Sequence, residues 1–326
     1  MCIRDRSEKA AMFLVILSDG TGGGIATSGV IAHLQDKYDL PLTIVTPPRT
    51  AAWFSSWPGR HWTLVLTDED SRASEVQRSL YRRLSRTRPA AVADFGGHSF
   101  SRFLPSRLLG GYNFSFYRRR DESLASALDR LRARLGEDLP PPCWRSGRKY
   151  LRNSHLARHS YALLPGGGTR PWVALSPGCA REDMKDEAYH DLWAQLSDVL
   201  FLPDGVLPGG RVVLLGAPGE SESLSRVARV YLESLDDAYG AEVRVCNMVA
   251  QTSLAMAATC MMRSRLVVAT NNLAPQLAAV SGVPCLRLLR EGEDDDLPLW
   301  SNQARQLYPC SDGELRAALM RLVGTV

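Results

Sequence analysis

Short apolar runs alternate along most of this chain with stretches of helical period, and that alternation narrows the fold more than any other feature. It is the pattern of parallel strands joined by crossover helices. In the first half the strand candidates are Phe13 to Leu17, Leu42 to Val45, Trp62 to Leu66 and Ala91 to Asp94, with helices at Ser28 to Tyr38 and Ala73 to Arg86. In the second half the strands are Val173 to Leu175, Val212 to Leu215, Val243 to Cys246, Leu266 to Val268 and Cys285 to Leu289. Helices fill the gaps at Glu187 to Val199, Glu220 to Tyr239, Ser253 to Arg263 and Pro275 to Val280, and a cap at Ser311 opens a final amphipathic helix. The class this predicts is α/β, with two doubly wound, Rossmann-like parallel sheets.

At 326 residues the chain exceeds what one core usually serves, so two domains of roughly 150 residues are expected. Asp138 to Arg170 breaks the rhythm, with consecutive prolines at 140–142, a basic patch, and glycines at 166–168. Such a segment reads as interdomain, dividing the chain into domains 12–165 and 166–326. Two sheets joined there would face one another across a cleft.

A formal charge of +4 does not announce nucleic acid as a partner. No apolar run approaches the ~18 residues that would span a bilayer, and Met1 to Ala11 lacks the apolar core of a secretory signal. That leader reads as translated adapter sequence, with Met12 as the natural start. The seven cysteines are scattered without a CxxC spacing, which suits reduced thiols in the cytoplasm better than zinc or disulfides.

The stretch LVVATNNLAPQLAAVSGVP, Leu266 to Pro284, is a buried-type strand that breaks into a polar loop and restarts as a small-residue helix. Ligands of α/β proteins bind at the carboxyl ends of strands, which marks Thr270, Asn271, Asn272 and Gln276. An ordinary strand-helix-strand unit with a polar turn is the competing reading. The first strand ends in Asp19-Gly20-Thr21-Gly22-Gly23-Gly24, where glycines would let backbone N–H groups approach an anion. A tight turn without ligand competes, and neither a Walker A loop nor a well-spaced dinucleotide fingerprint is present. Asp19 is the only carboxylate in this loop and hence the candidate base.

The turn SPGCAR, followed by Lys185, offers a seat for phosphate charge. After Val212 to Leu215, Glu220 and Glu222 could accept ribose hydroxyls, although Glu220 suits an acidic first helical turn better. Asp94 and His98 follow a strand end and are weaker candidates. His155 and His159 share a helical spacing without a third ligand, and the run Glu291, Glu293 to Asp296 is better read as solvated. The basic residues around 118–120 and 145–158 could touch an anionic acceptor or membrane face.

Taken together, RVVLLGAPGESE, the segment Leu266 to Pro284 and SPGCARxxxK resemble the glycosyltransferase family 9 proteins, the bacterial ADP-heptose:lipopolysaccharide heptosyltransferases and their relatives. The likeness is clearest from Trp172 to Leu289. It implies a GT-B fold and a sugar nucleotide held mainly by the second domain, with metal-independent transfer and no cofactor beyond the donor substrate. Lys185 matches the family's phosphate-contacting lysine, and Glu222 is nearest its ribose-binding acid. The family's Gly-Asp pair aligns with Gly22 and Gly23, leaving Asp19 displaced by a turn. Its Asp-Ser/Thr-Gly-Pro-x-His loop aligns with Asn271 to Gln276, keeping polarity while losing the charge and the imidazole. The GTGGG run is also similar to glycosyltransferase family 28, where a His is expected at Gly24.

The resemblance implies a cytoplasmic glycosyltransferase, with peripheral contact at the inner face of the cytoplasmic membrane. It would carry heptose or a related hexose from a nucleotide sugar to a glycan or lipid-linked cell-envelope acceptor. Asp19 is the expected base, and Gly22, Gly23, Lys185, Glu222, Asn271, Asn272 and Gln276 the expected donor-binding positions. A non-catalytic sugar-nucleotide or glycan-binding protein without the base is the alternative, and an NAD-type reductase a weaker third.

Overall fold

In the computed structural model the described residues are 12–17, 21–54, 57, 61–65, 89–96, 114–119, 121–143, 164, 171–178, 187–217, 245–270, 273–292 and 297–324. The chain divides into two compact units, Met1–Ser146 with Asp296–Pro298, and Gly147–Asp295 with Leu299–Val326. The expected boundary between residues 165 and 166 lies outside the described residues.

The first unit holds five parallel strands, β1 (Met12–Ile16), β2 (Leu42–Thr46), β3 (His61–Val65), β4 (Pro89–Asp94) and β5 (Phe114–Tyr117), in the order β3-β2-β1-β4-β5. Phe13, Leu14 and Val15 are fully buried, as a central strand covered on both faces must be. The helices are α1 (Thr21–Ala26), α2 (Ser28–Tyr38), α3 (Pro48–Phe54) and α4 (Leu124–Leu135). Burial spacing and caps explain α4: Leu124, Ala127, Leu128 and Leu131 are buried at helical spacing, Ser123 caps the start, and Gly136 ends it at φ 69°.

The second unit holds six parallel strands, β6 (Trp172–Ser176), β7 (Arg211–Leu214), β8 (Val245–Asn247), β9 (Ser264–Ala269), β10 (Cys285–Arg290) and β11 (Gln303–Tyr308). Their order, β11-β10-β9-β6-β7-β8, repeats the doubly wound plan. Helices α5 (Glu187–Phe201) and α8 (Asp312–Val323) pack on one face. There Trp193, Leu196 and Leu200 meet Val173, Leu175, Leu286, Leu288 and Leu319 in one hydrophobic cluster. Helices α6 (Leu254–Met262) and α7 (Ala274–Ser281) pack against each other, and α7 also packs on β9 and β10. With both faces covered, the strands read as continuous apolar runs rather than alternating ones.

The structure differs from the sequence expectation at the glycine-rich run. Thr21–Ala26 forms the short helix α1 instead of an open loop before α2. Thr27 closes it, its hydroxyl donating to the carbonyls of Gly23 and Gly24 at 3.1 and 3.0 Å. Glycine is a poor helix former, so the helix owes its existence to packing against α3, which leaves no room for a side chain at Gly24.

Candidate functional site

Strand order reverses between β6 and β9 in the second unit, and that reversal opens the crevice in which a doubly wound sheet receives its ligand. Ser176 and Ala269 are register partners at its mouth. The loop after β6 is held from two sides. The Tyr189 hydroxyl of α5 donates to the Pro177 carbonyl, and the Thr270 hydroxyl donates to the Gly178 carbonyl. Thr270 N–H also donates to Ser176 O at 3.4 Å. The two loops that carry the sequence candidates are therefore tied to one another at their bases.

Helix α7 begins directly beyond the Thr270 loop, with Pro275 in its first turn and Gly282 in the left-handed conformation at its end (φ 70°). Gln276 is fully buried in that first turn. Its Oε1 accepts from the Trp300 indole N–H at 2.8 Å, and its Nε2 is buried with no partner among the described residues. Asn302 and the first residue of β11 brace the helix. Gln303 Nε2 donates to Pro275 O at 2.5 Å, and Asn302 Nδ2 to Val283 O at 2.7 Å.

A second turn lies at the carboxyl ends of β7 and β8. Met248 N–H donates to Leu214 O and Ala250 N–H to Gly216 O, both at 3.0 Å. Asn247 Oδ1 accepts from Val249 N–H at 3.1 Å, and Ala250 takes a positive φ of 61°. That is a conformation an L-residue adopts at a cost.

In the first unit the corresponding reversal lies between β1 and β4, where Ile16 and Asp94 are partners. Asp94 is buried, and its Oδ1 accepts from Gly96 N–H at 2.8 Å, closing a tight turn after the strand. Burial, and then the negative charge of Asp94, push the Tyr117 hydroxyl above its ordinary pKa. Gly22 and Gly23 lie in α1.

Of the sequence candidates, Asp19, Lys185, Glu222, Asn271 and Asn272 lie outside the described residues, as do Glu220, His98, His155 and His159. Gln276, Gly22 and Gly23 are described. Sequence reasoning missed Trp300, Gln303 and the Asn247 turn. The last had a legible signal, Asn247, Gln251, Thr252 and Ser253 close after an apolar strand; a lone Trp carries none. Among the described residues no group of three or more His, Cys, Asp or Glu side chains is placed to hold a metal. No helix among them is long and apolar enough to cross a membrane.

No family model and no curated protein matches the sequence. Solved structures do match its fold. The family 9 glycosyl transferase of Veillonella parvula DSM 2008 superposes with a TM-score of 0.70 at 12% identity, over 97% of this chain and 98% of that one. ADP-heptose LPS heptosyltransferase II of E. coli gives 0.66 at 15% identity, over 96% and 99%. The E. coli heptosyltransferase WaaC with ADP gives 0.62 at 17%, again over 96% and 99%. The fold is thus the two-unit, Rossmann-like GT-B fold of the glycosyltransferases. In fold it follows the family 9 and heptosyltransferase structures along nearly the whole chain.

Proposed function

We propose that this protein is a metal-independent glycosyltransferase. It moves heptose or a related hexose from a nucleotide-activated donor to a cell-envelope glycan or lipopolysaccharide-type acceptor. The observation that carries the reading is the near-complete coverage in both directions by family 9 and heptosyltransferase folds, one of them with ADP bound. Fold alone does not define function. The second support is therefore local: the loop after β6 is tied down by the Thr270 and Tyr189 hydroxyls, and the buried carboxamide of Gln276 follows the loop after β9.

In this reading an acceptor hydroxyl attacks the anomeric carbon, the bond from that carbon to the diphosphate oxygen breaks, and the diphosphate leaves with the electron pair. Asp19 takes the hydroxyl proton. Lys185 counters charge growing on the leaving group, the term that usually dominates such catalysis. Glu222 accepts from the ribose, and Asn271, Asn272 and Gln276 bind sugar or phosphate oxygens. Gly22 and Gly23 keep the donor's approach free of side chains. The protein works in the cytoplasm and meets a lipid-linked acceptor at the inner face of the membrane.

A second reading, a non-catalytic binder of sugar nucleotides or glycans, is favoured by one observation. The positions aligned with the family's Gly-Asp pair are glycines inside helix α1. A thermal-shift screen with ADP-, UDP-, GDP- and dTDP-sugars, followed by transfer assays on wild type and Asp19→Asn, separates the two. Ligand at 100 times its Kd adds about 2.7 kcal/mol of stability. Stabilisation with transfer that Asp19→Asn abolishes supports the enzyme, and stabilisation without transfer supports the binder. No stabilisation by any of them rejects the enzyme and the sugar-nucleotide binder alike.

A further inference from the structure

We propose that Trp300 is a positioning residue that fixes the Gln276 carboxamide as a hydrogen-bond donor toward an oxygen of the donor diphosphate. This rests on the donor-binding reading above. An indole N–H can only donate. The atom facing it at 2.8 Å must accept, and that atom is Gln276 Oε1. Turning the amide over would set two donors against each other. Nε2, with both its hydrogens, is therefore held facing away from Trp300.

On that side Nε2 is buried and meets no acceptor among the described residues. A buried donor left in this state is destabilising, a cost relieved when an acceptor oxygen arrives. The backbone of the same turn has few donors to lend. Pro275 has no N–H, and the N–H groups of Gln276 and Leu277 both donate to Leu273 O, at 3.1 and 3.3 Å. The side-chain amide supplies what the helix start lacks.

Trp300 is itself held in place. Its backbone N–H donates to Gln303 Oε1 at 3.3 Å. Gln303 Nε2 reaches Pro275 O, one residue before Gln276, and Asn302 Nδ2 reaches Val283 O just beyond the helix. The indole is thus indexed to α7 on both sides of the residue it orients. The amide is neutral and presents only N–H on the side away from Trp300, which selects an acceptor such as a phosphate oxygen.

The test is isothermal titration of the full chain with ADP, UDP, GDP and dTDP, using the diphosphate that binds tightest, with a thermal melt to confirm that each variant is folded. Gln276→Leu removes the amide and should weaken binding about tenfold. Gln276→Glu keeps an acceptor for Trp300 but has no donor to offer, and should bind more weakly still. Trp300→Phe keeps the ring and frees the amide, so it should weaken binding severalfold, and adding it to Gln276→Leu should cost nothing more. Wild-type affinity in Gln276→Glu, or effects of Trp300→Phe and Gln276→Leu that multiply, would overturn the assignment while leaving the enzyme reading intact. If Trp300→Phe does not fold, the ranking of Gln276→Leu and Gln276→Glu decides. Wild type binding none of the four diphosphates overturns this inference together with the proposed function.

Discussion

Gly24 of α1 lies directly against Thr50 of α3, so that a Cβ built on residue 24 would stand 2.1 Å from Thr50 Cγ2. Both residues are buried, and the Thr50 hydroxyl has no partner among the described residues. The contact explains why a glycine-rich run is helical here. It also explains why the His expected by analogy with family 28 has no place at this position. Gly24→Ala should cost about 1–3 kcal/mol in urea unfolding, the usual penalty for overpacking. Thr50→Ala in the same chain should restore most of it. An unchanged midpoint in Gly24→Ala would show that α1 and α3 are not packed this way.

Glu122 is the anchor of the β5–α4 connection. Its carboxylate accepts from Arg130 Nε and Nη2 at 2.8 and 2.7 Å and from Arg119 N–H at 2.9 Å. Arg130 also donates to Tyr117 O and stacks over the Phe116 ring. These contacts, the Arg130 hydrogen bonds foremost, hold Glu122 below the ordinary glutamate pKa. A carboxylate depressed in the folded state contributes stability that is fully present above its unfolded pKa and lost as pH falls through the folded value. Glu122→Gln should therefore flatten the acid limb of the stability-pH curve, and Glu122→Ala should cost about 1–3 kcal/mol at pH 7. Equal acid sensitivity in wild type and Glu122→Gln would reject the pair as its source.

Much of this architecture was readable because central parallel strands are covered on both faces and so appear as unbroken apolar runs. Helix α2 was expected at Ser28 to Tyr38 and is found there, and Gly282 stops α7 where a left-handed residue is needed. Strand β11 was not legible. As an edge strand it alternates half-buried Ala304 and Gln306 and buried Tyr308 with exposed Arg305 and Leu307, so its sequence shows no apolar run. Helix α1 was illegible for the opposite reason, since its cause is a close approach to α3 and not its own propensity. The Thr270 loop and Gln276 could be marked from their place after a strand. Their partners, Gly178 for Thr270 and Trp300 and Gln303 for the start of α7, come from distant parts of the chain, and no local pattern announces such a meeting.

The described cysteines differ in exposure, Cys260 and Cys285 being buried. Burial pushes Cys285 and Cys260 up to about 12, so at pH 8 only about one in ten thousand would be thiolate, the reactive form. Ellman's reagent should spare both in the native protein and reach them only on unfolding, which mass mapping of the labelled peptides can read. Rapid native labelling of Cys285 would contradict its place inside β10.

The two ties on the loop after β6 give the last prediction. Tyr189 and Thr270 each donate a hydroxyl to neighbouring carbonyls, Pro177 and Gly178, and both residues are buried. Thr270→Val keeps the shape of the side chain and strands the Gly178 carbonyl, at a cost of about 1–3 kcal/mol. Tyr189→Phe does the same to Pro177 while leaving the edge contact with Trp193 in place. If this loop seats the donor, each variant should also raise the Kd for the nucleoside diphosphate, and Thr270→Ser, which keeps the hydroxyl, should recover most of the binding. Variants that lose stability yet bind the diphosphate as tightly as wild type would separate the loop's structural role from ligand binding, and would move the donor away from the β6/β9 reversal.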